Sequence, residues 1–173
     1  PGAIALDGFQ IFFEEQRPFF VENFNIFDFE FANGSDNLFY SRRIGRNPHR
    51  EATLNPGEFA KVPQNSTILG AAKFSGKTRD GWSIGVLGSI TASEYATIRQ
   101  TDGNEREENV EPMTNYFVAR AQKDFNERNS FIGGIFTATN RNVNENFNEL
   151  HKAAYTLGTD FQHNWKNRQY YVE

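Results

Sequence analysis

The stretch Trp82-Ser83-Ile84-Gly85-Val86-Leu87-Gly88-Ser89-Ile90-Thr91-Ala92-Ser93 decides the fold class. Its even positions carry Trp, Ile, Val, Gly, Ile and Ala, and its odd positions Ser, Gly, Leu, Ser, Thr and Ser. Successive side chains of a strand point to opposite faces, so this period of two predicts a half-exposed strand over 82–96. Upstream, Ile68, Gly70, Ala72 and Phe74 are expected on one face of a shorter strand, with Lys73 and Ser75 on the other. The link Gly76-Lys77-Thr78-Arg79-Asp80-Gly81 is short and ends in Asp-Gly, a hairpin signal.

The same rule works downstream. Met113, Phe117, Ala119, Ala121 and Phe125 oppose Thr114, Arg120, Gln122 and Asp124. The segment 131–138 is apolar or small on both faces, so no orientation follows. Ala153, Tyr155, Leu157, Thr159, Phe161 and Trp165 oppose Lys152, Thr156, Gly158, Asp160, Gln162 and Asn164. That second face is hydrophilic, which suits a wet or polar-plugged interior and not a dry core. Short links at 76–81, 126–129 and 166–168 leave no room for crossovers, so neighbouring strands must pair antiparallel. They alternate with long polar stretches at 98–111 and 141–150, read as surface loops. Short turns alternating with long loops are the habit of outer-membrane barrels.

Composition points the same way. The 173 residues are 38% hydrophobic, yet aromatics reach 15% and include eighteen Phe. A mean hydropathy of −0.67 with this many rings contradicts both an ordinary core and disorder. A transmembrane barrel reconciles the two, because only alternate residues face lipid. No apolar run approaches the ~20 residues of a membrane helix. A net charge of −4 gives no basic surface for nucleic acid. The absence of Cys removes thiolate chemistry and disulfides.

The expected fold is therefore all-β: an antiparallel up-and-down transmembrane β-barrel, partial, preceded by an irregular plug or lead-in. The Phe-rich segment 1–62, broken by Pro18, Asn33-Gly34, Pro48 and Pro56-Gly57, is the lead-in, and 63–173 supplies the barrel strands. About six strands are expected by this pattern, short of the roughly eight at which single-chain barrels begin, so the piece should not close alone. Pro1 at the start and Tyr170-Tyr171-Val172-Glu173 at the end read as the limits of a fragment. A soluble sandwich or lipocalin-like barrel shares the alternation with its faces inverted.

Candidate chemistry is sparse. Glu14, Glu15 and Glu22 lie between Phe pairs and are candidate acids or bases, since glycoside hydrolysis uses paired carboxylates. The competing reading is a hydrogen-bonded plug with Arg17 pairing a carboxylate. Arg42, Arg43 and Arg46 are candidates for an anion contact or, preferred here, for an internal charge network with Glu94, Asp124 or Asp160. His49, His151 and His163 follow no metal spacing, and no metal or cofactor is expected. The oxygen-rich run Asp28, Glu30, Asn33, Gly34, Asp36, Asn37 lacks the calcium-loop spacing and reads as a solvated loop. Gly133-Gly134 marks close packing or a bend.

Four ordered stretches carry a family resemblance. They are Phe9-Gln10-Ile11-Phe12-Phe13-Glu14-Glu15-Gln16-Arg17-Pro18-Phe19-Phe20-Val21-Glu22-Asn23 with Ile26-Phe27; Leu38-Phe39-Tyr40-Ser41-Arg42-Arg43-Ile44-Gly45-Arg46; 67–78 running into 81–86; and 111–120. Together they resemble the DUF5916 domain of Bacteroidetes-type proteins, in which a family 9 carbohydrate-binding module precedes the domain. Glu14 stands where that family commonly has Pro. The resemblance implies a Gram-negative cell-envelope protein whose barrel lies in the bacterial outer membrane, with the lipid bilayer, glycans and other envelope proteins as partners and no nucleic acid. It brings no established activity. The expected role is surface binding, passage or anchoring, linked to carbohydrate. The alternatives are a carbohydrate-active envelope hydrolase using Glu14, Glu15 or Glu22, and a structural subunit of a larger envelope assembly.

Overall fold

The computed structural model describes residues 14–29, 37–166 and 169–173. The expectations placed on Phe9 to Phe13, on Glu30 to Asp36 and on the last residues of the 166–168 link lie outside these. Among the described residues the only α-helix is the single turn Pro18–Val21, opened by a proline whose missing N–H costs a helix start nothing. None is long and apolar enough to cross a membrane. Among the described residues nine strands follow in chain order: β1 Phe59–Lys61, β2 Ile68–Lys77, β3 Trp82–Thr91, β4 Glu94–Arg99, β5 Glu105–Glu111, β6 Thr114–Phe125, β7 Ser130–Arg141, β8 Ala153–Trp165 and β9 Tyr170–Val172.

The chain is all-β, in two antiparallel sheets. The larger has the order β2-β3-β6-β7-β8-β9 and the smaller β1-β4-β5. The large sheet is open: β2 and β9 are its two edges, so no closed barrel is found. Its six strands match the expected number, but the strand expected over 82–96 breaks at Ala92-Ser93 into β3 and β4, and β5 was hidden in the 98–111 stretch read as a loop. β4 and β5 prolong the β3–β6 hairpin, with Thr91 opposite Thr114 and then Glu94 opposite Glu111. The ladder breaks between them at Pro112, which has no N–H to give, and Ser93 Oγ accepts from the Met113 N–H at 3.0 Å instead. The lead-in also supplies a strand, since β1 pairs with β4 from Phe59↔Arg99 to Lys61↔Thr97.

Turn chemistry fixes the short hairpins. Gly81 has φ +85°, and a side chain there would come within 2.9 Å of the Asp124 carbonyl. Only glycine closes the β2–β3 turn against β6 without strain.

The two faces of the large sheet differ in what covers them. On one, Leu87, Val118 and Ile135 pack with Phe20, Ile26, Phe27, Phe29, Phe39 and Ile44 of the lead-in. Each buried ring stabilises this layer by roughly 2 kcal/mol. Ser83, Ser89, Thr91, Thr114 and Arg120 share this covered face and are buried too. The other face is bare. Phe74, Trp82, Ile84, Ile90, Phe117, Ile132, Phe136, Tyr155, Leu157, Phe161 and Trp165 are all exposed there, Leu157 by 76%. The faces of β8 alternate as predicted: Tyr155 and Leu157 lie opposite Ala138 and Phe136 on the bare side, while Asp160 reaches Arg120 on the covered side. Segment 131–138 now has an orientation, Ile135 covered and Ile132 and Phe136 bare.

One residue of the predicted faces moves. A bulge between Ile68 and Gly70 shifts register, so Ile68 sits opposite Thr91 and joins the covered side, while Gly70, Ala72 and Phe74 keep the bare one. An inserted residue reverses every side chain before it, which strict alternation cannot foresee.

Candidate functional site

The covered face is shaped by small residues. A methyl group built on Gly85 would stand 2.8 Å from Phe27 Cζ and 2.9 Å from Ile26 Cγ2. One on Gly158 would stand 2.5 Å from Leu38 Cδ1 and 2.7 Å from Phe29 Cζ. These glycines are sockets for lead-in side chains. By contrast, Gly70, Gly76 and Gly88 face open space. Backbone carbonyls add a polar anchor: Lys73 Nζ donates to the Phe19 and Glu22 carbonyls at 2.5 Å each. Asn23 Nδ2 donates to Ser75 Oγ at 3.2 Å.

Arg120, almost fully buried, donates from both terminal nitrogens to Asp160, at 2.8 and 2.5 Å. Its guanidinium lies 5.1 Å from the centroid of the Phe29 ring. Sequence reasoning placed both residues on hydrophilic strand faces but did not pair them. The signal was their common parity, and what hid it was the intervening β7.

The lead-in carries its own ion pair. Arg17 Nε and Nη2 donate to the two oxygens of Glu15 at 2.8 and 2.7 Å. Arg17 Nη1 and Nη2 also donate to the Ile44 and Ser41 carbonyls at 2.6 and 3.0 Å, and Ser41 Oγ donates to Glu15 Oε2 at 2.7 Å. Burial pushes the Glu15 carboxyl up, but the hydrogen bonds from Arg17 and Ser41 outweigh it and hold it at about 2. Such a group stays ionised at neutral pH and is unfit to donate a proton as a general acid. Glu14 and Glu22 are exposed, and both offer backbone carbonyls, to Arg42 and Lys73 respectively.

The expected pairing of Arg42, Arg43 and Arg46 with Glu94, Asp124 or Asp160 is not found among the described residues. Asp160 is taken by Arg120, Asp124 accepts from Gln122 Nε2, and Glu94 accepts from the Thr67 N–H. Those acids are satisfied by donors other than these arginines. Arg42 donates to the Glu14 carbonyl at 2.7 Å, and Arg46 Nε to the Asn47 carbonyl at 3.3 Å. Arg43 has no carboxylate partner among the described residues. What gathers the four arginines is an open cleft of about 790 Å³, where Arg17, Arg42, Arg43 and Arg46 are joined by Asn47 and Asn65.

Two histidine contacts escaped the sequence reading. Glu111, fully buried, accepts from the His49 N–H at 2.8 Å and lies 2.6 Å from His49 Nδ1, tying the lead-in to the β5–β6 kink. Ser130 Oγ lies 2.6 Å from His163 Nδ1, and that imidazole stacks on Trp165 at 5.5 Å. No carboxylate orients His163 among the described residues, so the pair lacks the third member a nucleophilic triad uses. Among the same residues no group of three His, Asp or Glu side chains is placed to hold a metal ion.

The small sheet is charged. Arg106 bridges Glu58 at 3.0 Å and Glu108 at 3.3 Å, and Arg50 reaches Glu108 at 3.5 Å. Backbone and side-chain hydrogen bonds from Asn55, then Arg106, lower Glu58 to about 2.

No curated protein and no solved structure matches the chain. Residues 3–173 match the family described as Domain of unknown function (DUF5916). Since that match spans almost every residue, sheets and lead-in alike, the chain belongs to the DUF5916 family.

Proposed function

We propose that this chain is wall and plug of an outer-membrane β-barrel, acting in binding or anchoring at the cell surface. One observation carries the reading. The face of the large sheet that holds Ile84, Phe117, Leu157 and Phe161 is bare, while the face with Ser83, Arg120 and Asp160 is covered. In water this arrangement is backwards, because a bare apolar face of this extent marks an interaction surface. In lipid the penalty disappears, and the polar face turns to the lumen. The lead-in fills that lumen side, which favours a plugged barrel over an open channel. The charged sheet β1-β4-β5 continues the β3–β6 hairpin beyond the apolar band, as a surface loop would.

Fractionation tests it directly. The protein carrying this chain should extract with outer membranes and run heat-modifiably on a gel. Leu157→Arg and Ile84→Arg should each cost about 2–4 kcal/mol and lower the folded fraction. Quantitative recovery in the soluble fraction, with both variants folding as well as the parent, would sink the proposal.

A further inference from the structure

We infer that the arginine cleft of the lead-in is a binding site for a phosphorylated sugar. The inference stands on the cleft alone and does not require the lipid-facing reading. The cleft holds about 790 Å³ and is lined by Arg17, Arg42, Arg43, Arg46, Asn47 and Asn65. Among the described residues its only carboxylate, Glu15, is committed on both oxygens to Arg17. Arg17 spends four of its five donors on Glu15, Ile44 and Ser41 and its charge is matched by Glu15, so it shapes the floor.

Arg43 and Arg46 are different. Arg43 has no carboxylate partner among the described residues, and Arg46 spends only Nε, on a neutral carbonyl. Two guanidinium forks are thus concentrated in one concavity of a chain whose net charge is −4. Like charges gathered this way repel one another, and an anion between them relieves the repulsion.

The donor geometry selects the anion. One planar fork satisfies one carboxylate, whereas two forks suit the several oxygens of a phosphate. The volume selects the rest. It lies within the ~300–1,000 Å³ typical of small-molecule sites, far more than a bare phosphate fills. The amides of Asn47 and Asn65 supply the neutral donors and acceptors that sugar hydroxyls need. A phosphate on a sugar could reach the cleft free in solution or as the headgroup of a glycolipid.

Calorimetry on the purified protein that carries this chain tests this with glucose 1-phosphate, glucose and glucuronate. Glucose 1-phosphate should bind at least tenfold more tightly than either of the others. Arg43→Gln and Arg46→Gln should each weaken it at least tenfold without moving the melting temperature, whereas Arg50→Gln, whose arginine faces Glu108 of the charged sheet, should leave it unchanged. Micelles carrying a phosphorylated glycolipid, compared with its dephosphorylated form, separate the sources. Binding there but not to glucose 1-phosphate, lost in Arg43→Gln/Arg46→Gln, places the sugar phosphate on a lipid and supports the site. Equal binding of glucose and glucose 1-phosphate overturns it. So does phosphate binding that survives the double substitution, or no binding in either arm.

Discussion

Arg120 of β6 and Asp160 of β8 meet two-pronged across β7, through the space that Gly133 leaves empty. A side chain at Gly133 would collide with Asp160 and come within 3.2 Å of Arg120 Nη1. Three strands therefore cooperate in one contact, and Phe29 of the lead-in lies over it.

Removing one partner should cost far more than removing both. Asp160→Ala leaves Arg120 buried without a counter-charge, and we expect a loss of about 3–5 kcal/mol in urea unfolding from detergent. The double variant Arg120→Met/Asp160→Leu should lose less than Asp160→Ala does. Strict additivity of the two single effects would show that the residues are not coupled.

Sockets should be intolerant where open glycines are not. Gly158→Val drives a side chain into Leu38 and Phe29 and should cost about 1–3 kcal/mol. Gly88→Ala points into open space and should be nearly silent. Hydrogen exchange at 26–29 reads the difference: faster in Gly158→Val, unchanged in Gly88→Ala. Equal protection in both variants would refute the socket.

Acid should weaken the lead-in through Glu15. Its carboxyl falls from an ordinary value of 4.5 to about 2 in the folded chain. A depressed folded pKa gives stability that is complete above about 4.5 and is lost as pH falls toward 2. Glu58 titrates in the same window, held down by Asn55 and Arg106. The measurement is therefore a comparison: Glu15→Gln should have a shallower pH dependence of stability between 4.5 and 2 than the parent. Superimposable curves would remove Glu15 from the account.

The sequence made some of this legible and hid the rest for physical reasons. β3 and β8 could be read because one face of each is apolar and the other polar. β5 could not, since Glu105, Arg106, Glu107 and Glu108 are charged on both faces and hydropathy does not alternate. Its true signal was ionic, with Arg106 and Glu108 sharing the side that meets Glu58. The Ile68 bulge left no mark in composition. Arg17 was expected to find a carboxylate and finds one two residues away. Among the described residues Arg42 and Arg46 donate to carbonyls, which no residue type announces.

Fluorescence can examine the bare face without mutation. Trp82 and Trp165 are the only tryptophans, and both are exposed on that face near the short turns. In lipid their emission should be blue-shifted and strongly quenched by brominated acyl chains. Emission at the position of free indole in water, indifferent to bromolipid, would contradict a lipid-facing wall.

The glycine sockets and the rings that fill them lie far apart in the chain, Gly85 with Phe27 and Gly158 with Phe29. One shape is thus inscribed in two places, and neither half can drift alone. Among relatives, a larger residue at position 158 should arrive only with a smaller one at 29 or 38, so the lead-in and the large sheet should change together and not one at a time.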